Sequence, residues 1–359
     1  YRIVVVNVGG VAGSYSLSDQ PTFDDDLAIN GASFVSTLDA STTLTDTPWA
    51  LAASRDLDAG AFHVYTLTVN VDLDLADGAG NNIYDRCQTT ANGKPGEGLF
   101  NNVTLTQPGQ PDREADSCGD IPYIVHDKQF VGATAAGDAW EVVYAITVRN
   151  DGGALGQYDL TDQPSFDNDV TIESASYVSS VPSDSPLAVT GPWQLGDNVA
   201  LAAGASHRYT ITVNVDLDLT PGSSGDNSYS ACGVNTGTPQ ADEGLFNKSF
   251  LDVNDDGVVD QTAEDCGDLP NIVHDKAFVS ATAGAGDTWD VVYRITVNNN
   301  GGASGTYTLS DQPAMDDDVT VNSASFVSTL DGSTTLNSTP WSLATNRSLA
   351  AGASHVYTL

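Results

Sequence analysis

The sequence predicts an all-β protein, a tandem row of antiparallel β-sandwiches of immunoglobulin type. Three observations predict it. The first is a long internal repeat: YRIVVVNVGGVAGSYSLSDQP at Tyr1 returns as YAITVRNDGGALGQYDLTDQP at Tyr144 and as YRITVNNNGGASGTYTLSDQP at Tyr293. A period of about 145 residues is the size of a domain and too long for a solenoid repeat. The second is a hydrophobic period of two. Trp140, Val142, Tyr144, Ile146 and Val148 share one face, and so do Tyr209, Ile211, Val213, Val215, Leu217 and Leu219, the pattern of half-buried strands. The third is composition: 34 Gly and one Met among 359 residues, with turn signals such as Asn150-Asp151-Gly152-Gly153 between the strands. Eight or nine strands per unit fit a sandwich, and no segment reads as an amphipathic helix.

The boundaries follow from the repeat. Gly119-Asp120-Ile121-Pro122 and Gly267-Asp268-Leu269-Pro270 each follow a Cys and precede a new strand, and a proline there ends the preceding strand and stiffens the joint. The expected units are 1–122, partial, without its N-terminal strands; 123–270, complete; and 271–359, partial, without its C-terminal strands. The chain reads as part of a longer repetitive protein.

Charge narrows the partners. There are 48 Asp and Glu against 12 Lys and Arg, a net charge of −36. Nucleic acid and anionic membrane surfaces would repel such a chain, whereas cations, Ca²⁺ above all, would be attracted. No apolar run is long enough to span a membrane. The expected partners are copies of itself in a fibre or neighbouring repeats. The sequons at Asn102, Asn247, Asn337 and Asn346 allow glycan modification.

Four cysteines fall as two repeated pairs, Cys87 with Cys118 and Cys232 with Cys266. Pairing within each unit predicts two disulfides, and with them a secreted, cell-surface location. The alternative is two reduced core thiols per unit.

Asp252-Val-Asn254-Asp-Asp256-Gly-Val258-Val-Asp260 has the spacing of a calcium loop. Asp252, Asn254, Asp256 and Asp260 would supply side-chain oxygens and Val258 its carbonyl. Ala263 stands where a bidentate acid is expected, and Glu264 is the substitute. The expected affinity is on the order of 10⁻⁴–10⁻³ M, as in extracellular modules. The alternative is an Asp/Asn-rich hairpin turn. Two further acidic patches recur: Asp24-Asp25-Asp26, Asp167-Asn168-Asp169 and Asp316-Asp317-Asp318 form one, and Asp72 and Asp74 with Asp216 and Asp218 the other. Both read chiefly as solvated faces that block edge-to-edge aggregation; the alternative is Ca²⁺ binding at a domain joint.

Three polar residues break the apolar pattern. Lys128 shares its strand face with Ile124, His126 and Phe130, and Lys276 repeats that position with Ile272, His274 and Phe278. Asp162 ends a face made of Tyr158 and Leu160, echoed by Asp19 and Asp311. Asn247 follows Leu245, and Asn101 lies between Leu99 and Val103. A lysine on an apolar face is costly to bury unless a partner meets it. The trio Lys128, Asp162 and Asn247, in that order, resembles the isopeptide-forming immunoglobulin-like domains of Gram-positive pilins and collagen-binding adhesins. It is also similar to a wider family of bacterial and archaeal surface repeats, through GDAWEVVYAITVRNDGG, LTDQP and GLFNKSF. The resemblance implies that the Lys128 amine attacks the Asn247 carboxamide with Asp162 assisting. Asp19 with Asn101, and Lys276 with Asp311, would be partial sets. The alternative is a buried ion pair hydrogen-bonded to Asn.

His63, His126, His207, His274 and His355 all sit at repeat positions, and no Ser–His–Asp or Cys–His set stands apart from the scaffold. An enzyme is therefore not expected. The expected function is that of a structural repeat segment in an extracellular filament or fimbria-like fibre. The alternatives are the stalk of a Ca²⁺-dependent adhesin and an accessory module of an extracellular carbohydrate-active enzyme.

Overall fold

The computed structural model describes residues 1–75, 80–88, 93–136, 139–181, 185–222, 225–234, 237–253 and 257–359. Among these residues every regular element is a β-strand, and every strand pairing is antiparallel.

The first stretch contains β1 (Arg2–Val6), β2 (Gly13–Pro21), β3 (Leu27–Ser36), β4 (Thr42–Leu44), β5 (Trp49–Leu57), β6 (Phe62–Leu73), β7 (Asn101–Thr106) and β8 (Arg113–Ser117). The middle one contains β9 (Ile124–Ala136), β10 (Ala139–Asn150), β11 (Gly156–Pro164), β12 (Val170–Ser179), β13 (Ser185–Leu187), β14 (Trp193–Leu201), β15 (Ser206–Leu217), β16 (Leu245–Val253) and β17 (Gln261–Gly267). The last contains β18 (Ile272–Ala283), β19 (Trp289–Asn299), β20 (Gly305–Asp311), β21 (Ser325–Ser328), β22 (Thr334–Thr335), β23 (Trp341–Leu349) and β24 (Ser354–Thr358).

In the middle stretch a five-stranded sheet, β13-β12-β15-β10-β9, faces a four-stranded one, β14-β11-β16-β17. The inward residues of β10 (Tyr144, Ile146, Val148) and β15 (Ile211, Val213, Val215) meet Tyr158, Leu160, Trp193, Leu195 and Leu251 from the other sheet. Alternation puts these side chains between the layers, and each fully buried one contributes roughly 1.5–3 kcal/mol. The first stretch repeats this arrangement as β4-β3-β6-β1 over β5-β2-β7-β8, with β1 in the place of β10.

The repeated histidines have a structural task. Tyr158 places its hydroxyl 2.7 Å from that of Tyr209 and 2.9 Å from His207 Nδ1. Tyr15, Tyr65 and His63 repeat the triplet, as do Tyr307, Tyr357 and His355. A phenol buried between sheets needs a partner for its hydroxyl, and the histidine at the sandwich rim supplies one.

The reading of the first acidic patch as solvated is corrected. Asp167 and Asp169 are 3% and 1% exposed, and Asp24 and Asp26 are equally withdrawn. Asp167 accepts the backbone N–H of Ser230, and Asp169 those of Asn227 and Ser228. Asp24 and Asp26 hold Asp85, Asn82 and Ile83 in the same way. These carboxylates tie down the long loop before β16 and before β7, satisfying N–H groups that no strand partner reaches. The equivalent Asp316, Asp317 and Asp318 are exposed.

Candidate functional site

The sandwich brings Lys128, Asp162 and Asn247 to one point between its layers. Lys128 enters from β9, the edge strand of the five-stranded sheet. Asp162 and Asn247 enter from the neighbouring strands β11 and β16 of the opposite sheet, where Pro164 pairs with Asn247. Just beyond the lysine, β9 carries a bulge against β10: Tyr144 pairs with Phe130 and Val143 with Gly132. Val131 is the extra residue, so Lys128 and Phe130 keep facing inward before the strand changes face.

Asp162 is the hub. Lys128 Nζ donates to its Oδ1, and Asn247 Nδ2 donates to its Oδ2 at 2.9 Å. The side chains of Lys128 and Asp162 have no exposed area, and Asn247 is fully buried. The ring of Tyr144 lies under the amine, 5.1 Å from Nζ to its centroid, and its hydroxyl is donated to the Leu245 carbonyl. Burial drives both ionisable groups towards neutrality. It raises the Asp162 pKa and lowers that of Lys128, although their mutual attraction opposes each shift. One atom is left over: Asn247 Oδ1 is buried with no hydrogen-bond partner.

The partial sets occupy the same places. Lys276 Nζ lies 2.5 Å from Asp311 Oδ1 and 4.9 Å from the Tyr293 ring centroid. Asn101 Nδ2 donates to Asp19 Oδ1 at 3.0 Å, while Asp19 Oδ2 and Asn101 Oδ1 are buried without partners. Burial pushes the Asp19 carboxyl up to about 6.

Two neighbours complete the site: His126, which sequence reasoning placed only in the repeated scaffold, and Ser249, which it did not name. His126, two residues before the lysine, lies with Nε2 3.0 Å from Ser249 Oγ, two residues after the asparagine. Ser249 in turn donates to the Ala263 carbonyl. The pair ties β9 to β16 beside the trio. Burial pushes the His126 pKa down to about 4, with the Lys128 charge adding to the effect against weaker support from Ser249 and Asp127. The imidazole is therefore neutral in the fold. In the unfolded chain it takes up a proton near pH 6.5, so stability falls as the pH drops from about 6.5 towards 4. The expected loss is on the order of 3 kcal/mol. Denaturant melts of the wild type and His126→Gln across that range check it: the variant's curve should be flatter.

Both predicted disulfides are present, Cys87–Cys118 and Cys232–Cys266, and no free cysteine remains. Asn247, one of the four sequon asparagines, is sealed inside the sandwich.

The calcium loop is only partly in view. Asn254 and Asp256 lie outside the described residues. Asp252 Oδ2 accepts the Gly257 N–H at 2.9 Å, and Asp260 Oδ2 the Val253 N–H at 2.6 Å, so the two acids flank one turn. Asp252 Oδ1 is buried without a partner. Val258 is exposed beside them. The assignment of Glu264 is corrected. It sits on β17 opposite Lys248, bonded to that amine at 3.0 Å. The last pair before the turn is Leu251 with Gln261. Three strand residues, about 10 Å, thus separate Glu264 from the turn, and strand geometry keeps it there.

No family model matches the chain, and no curated protein matches it. Among solved structures it aligns with the exo-β-D-glucosaminidase CsxA, from a study of its inhibition by a glucosamine-configured castanospermine and an amino-australine analogue, at 14% identity and a TM-score of 0.20. It also aligns with the Amycolatopsis orientalis exo-chitosanase CsxA, at 13% identity and a TM-score of 0.21. Each alignment covers 82% of this chain but 27% of the enzyme, so the chain spans about a quarter of those structures. At such TM-scores the likeness carries no argument.

Proposed function

We propose that this chain is a segment of an extracellular surface filament, built from sandwiches that each close themselves with an amide bond between first and late strands. The observation that carries this reading is Asp162 bridging Lys128 and Asn247 in a sealed, apolar place. The same arrangement supports a definite reaction. A neutral Lys128 amine attacks Asn247 Cγ. A protonated Asp162 donates to the amide oxygen, which reaches it by rotation about Cβ–Cγ; in the resting arrangement that oxygen has no partner. The Nζ–Cγ bond forms, the Cγ–Nδ2 bond breaks, and the proton lost by Nζ passes through Asp162 to the departing nitrogen. Ammonia leaves, Asp162 ends as it began, and no oxidant is needed. Tyr144 holds the amine in line. This is one self-modification per complete trio, without turnover.

A link from β9 to β16 would carry tension across the unit and bypass the sheets, which suits a fibre under load. Calcium at the turn after β16 is proposed on Asp252 and Asp260, whose orphaned oxygen fits a cation. Intact mass tests the central claim. After allowing for two disulfides, the chain should be lighter by one ammonia, and a digest should contain a branched peptide joining Lys128 to Asn247. An unshifted mass would leave only a buried ion pair. Negative-stain images of the native material test the filament itself.

A further inference from the structure

Where successive units meet, the same contacts appear twice. The linker 119–123 is bonded on both sides. Towards the preceding unit, Asp120 Oδ1 accepts the Tyr84 hydroxyl at 3.1 Å and the Cys87 N–H at 3.0 Å. The Ile121 N–H returns to the Tyr84 hydroxyl, and the Gly119 carbonyl accepts the Leu99 N–H. Towards the following unit, the Ile121 carbonyl accepts the N–H groups of Gly153 and Ala154, and the Tyr123 carbonyl that of Asp151. The second joint repeats this with Asp268, Tyr229, Cys232 and Leu269 on one side and Asn300 and Ala303 on the other.

The receiving turn is Asn-x-Gly-Gly, and each of its residues has a reason. Asn150 is fully buried and uses all its capacity. Its Nδ2 donates to the Ala154 and Leu201 carbonyls, and its Oδ1 accepts from Gly152 and from Tyr123 of the linker. Asn299 does the same with Ala303, Leu349, Gly301 and Asn271. The glycines are required by proximity. A Cβ on Gly152 would stand 2.3 Å from the Tyr123 nitrogen, and one on Gly153 would stand 2.2 Å from Asp120 Oδ2. Gly301 and Gly302 are under the same constraint from the Leu269 carbonyl and Asp268. At Asn7–Gly10 the same turn recurs, with Asn7 bonding Gly9, Val11 and Leu57.

We propose that the Gly-Asp-x-Pro linker and the Asn-x-Gly-Gly turn form a plug and socket that lock successive units in one fixed orientation, with the joint aspartate coupling the socket to the disulfide loop of the unit before. The default for domains joined by a short linker and a small interface is relative motion. Here backbone bonds on both flanks of a five-residue segment remove the freedom that a hinge would need. Asp120 and Asp268 are the contact points between units, because each holds the preceding loop with one oxygen and packs against the following glycine turn with the other.

Residual dipolar couplings of backbone amides in the intact chain test the lock. In the wild type, couplings from strands of the first and middle units should fit one alignment tensor. In Asp120→Ala with Gly153→Val, the first and middle units should require two tensors of unequal magnitude, while the joint at Asp268 keeps the middle and last units on one. Asp120→Asn alone, a milder change, should reduce the agreement with a common tensor. Unchanged amide shifts within the strands show that each unit is still folded. Separate tensors in the wild type, or a common tensor retained in the double variant, would overturn the proposal.

Discussion

Asp162→Ala should leave the chain at the full mass of its own sequence, where the wild type falls one ammonia short of its own, and lower the stability of the middle unit more than any other single change at the site. Two effects combine. The amide no longer forms, and closing a loop as long as that from Lys128 to Asn247 is worth about 4–5 kcal/mol by chain-entropy reckoning. In addition, Lys128 is left in an apolar cleft without its counter-ion, a loss of ~3–5 kcal/mol when one partner of a buried pair is removed. Against a total stability of roughly 5–15 kcal/mol for a domain, the unit could fail to fold. Two gentler variants therefore accompany it. Asp162→Asn keeps the volume and one of the two acceptor oxygens but cannot carry the proton, so it should fold and stay uncross-linked. Lys128→Met removes the nucleophile and leaves Asp162 without its cation; because burial already raises the Asp162 pKa, that carboxyl can take up a proton in place of staying a bare charge, so the loss should lie between that of the amide alone and that of Asp162→Ala. Mass spectrometry and calorimetry on the three proteins read the order directly. A wild type without the ammonia deficit, or the same deficit in Asp162→Ala, would sink the reaction.

Much of the site was legible because of where its polar residues stand. A lysine at the third inward position of a strand, after Ile124 and His126, contradicts the apolar face around it, and such a conflict needs a partner. The same logic found Asp162 and Asn247. The all-β architecture was legible for a related reason: β10 and β15 alternate without a break over nine or more residues, and only a half-buried strand has that period. The acidic patch was misread because a run of aspartates looks solvated. What buries Asp167 and Asp169 is a set of loop N–H groups some sixty residues away, and no local pattern reports on those. Glu264 was misplaced because loop spacing was counted past Gln261, where β17 has already begun. Tyr144 was assigned to the core, correctly, but its position under the lysine depends on the register of β9 against β10. The Asn-x-Gly-Gly turn read simply as a turn. Its glycines answer to a backbone that packs against them from outside the hairpin, which is visible only once the linker is in place.

Removing the second disulfide, by Cys232→Ser with Cys266→Ser, should destabilise the middle unit by about 3–4 kcal/mol, the loop-closure value for a separation of 34 residues. The structure explains why this loop needs a covalent clamp. Among its described residues, 225–234 and 237–244 contain no strand, so few ladder bonds hold them. The loop is pinned instead by the disulfide, by Asp167 on the Ser230 N–H, by Asp169 on those of Asn227 and Ser228, by Glu243 on those of Gly233 and Gln240, and by Asp268 on that of Cys232. Gly244, at a φ of 46°, passes so close to the bridge that a Cβ would sit 2.7 Å from Cys232 Sγ. Opening the bridge frees one end of the loop from β17 and withdraws the N–H that Asp268 accepts, and that aspartate is the contact between units. Loss of the disulfide should therefore show twice. The melting midpoint of the middle unit should fall, and hydrogen exchange should accelerate at Ser230, Cys232 and Leu269 before it does in β10 or β15. Reduction of the wild type should reproduce both changes. A reduced chain with the same midpoint and the same protection at Leu269 would show that the carboxylates alone hold the loop, and that the bridge adds nothing to the fold.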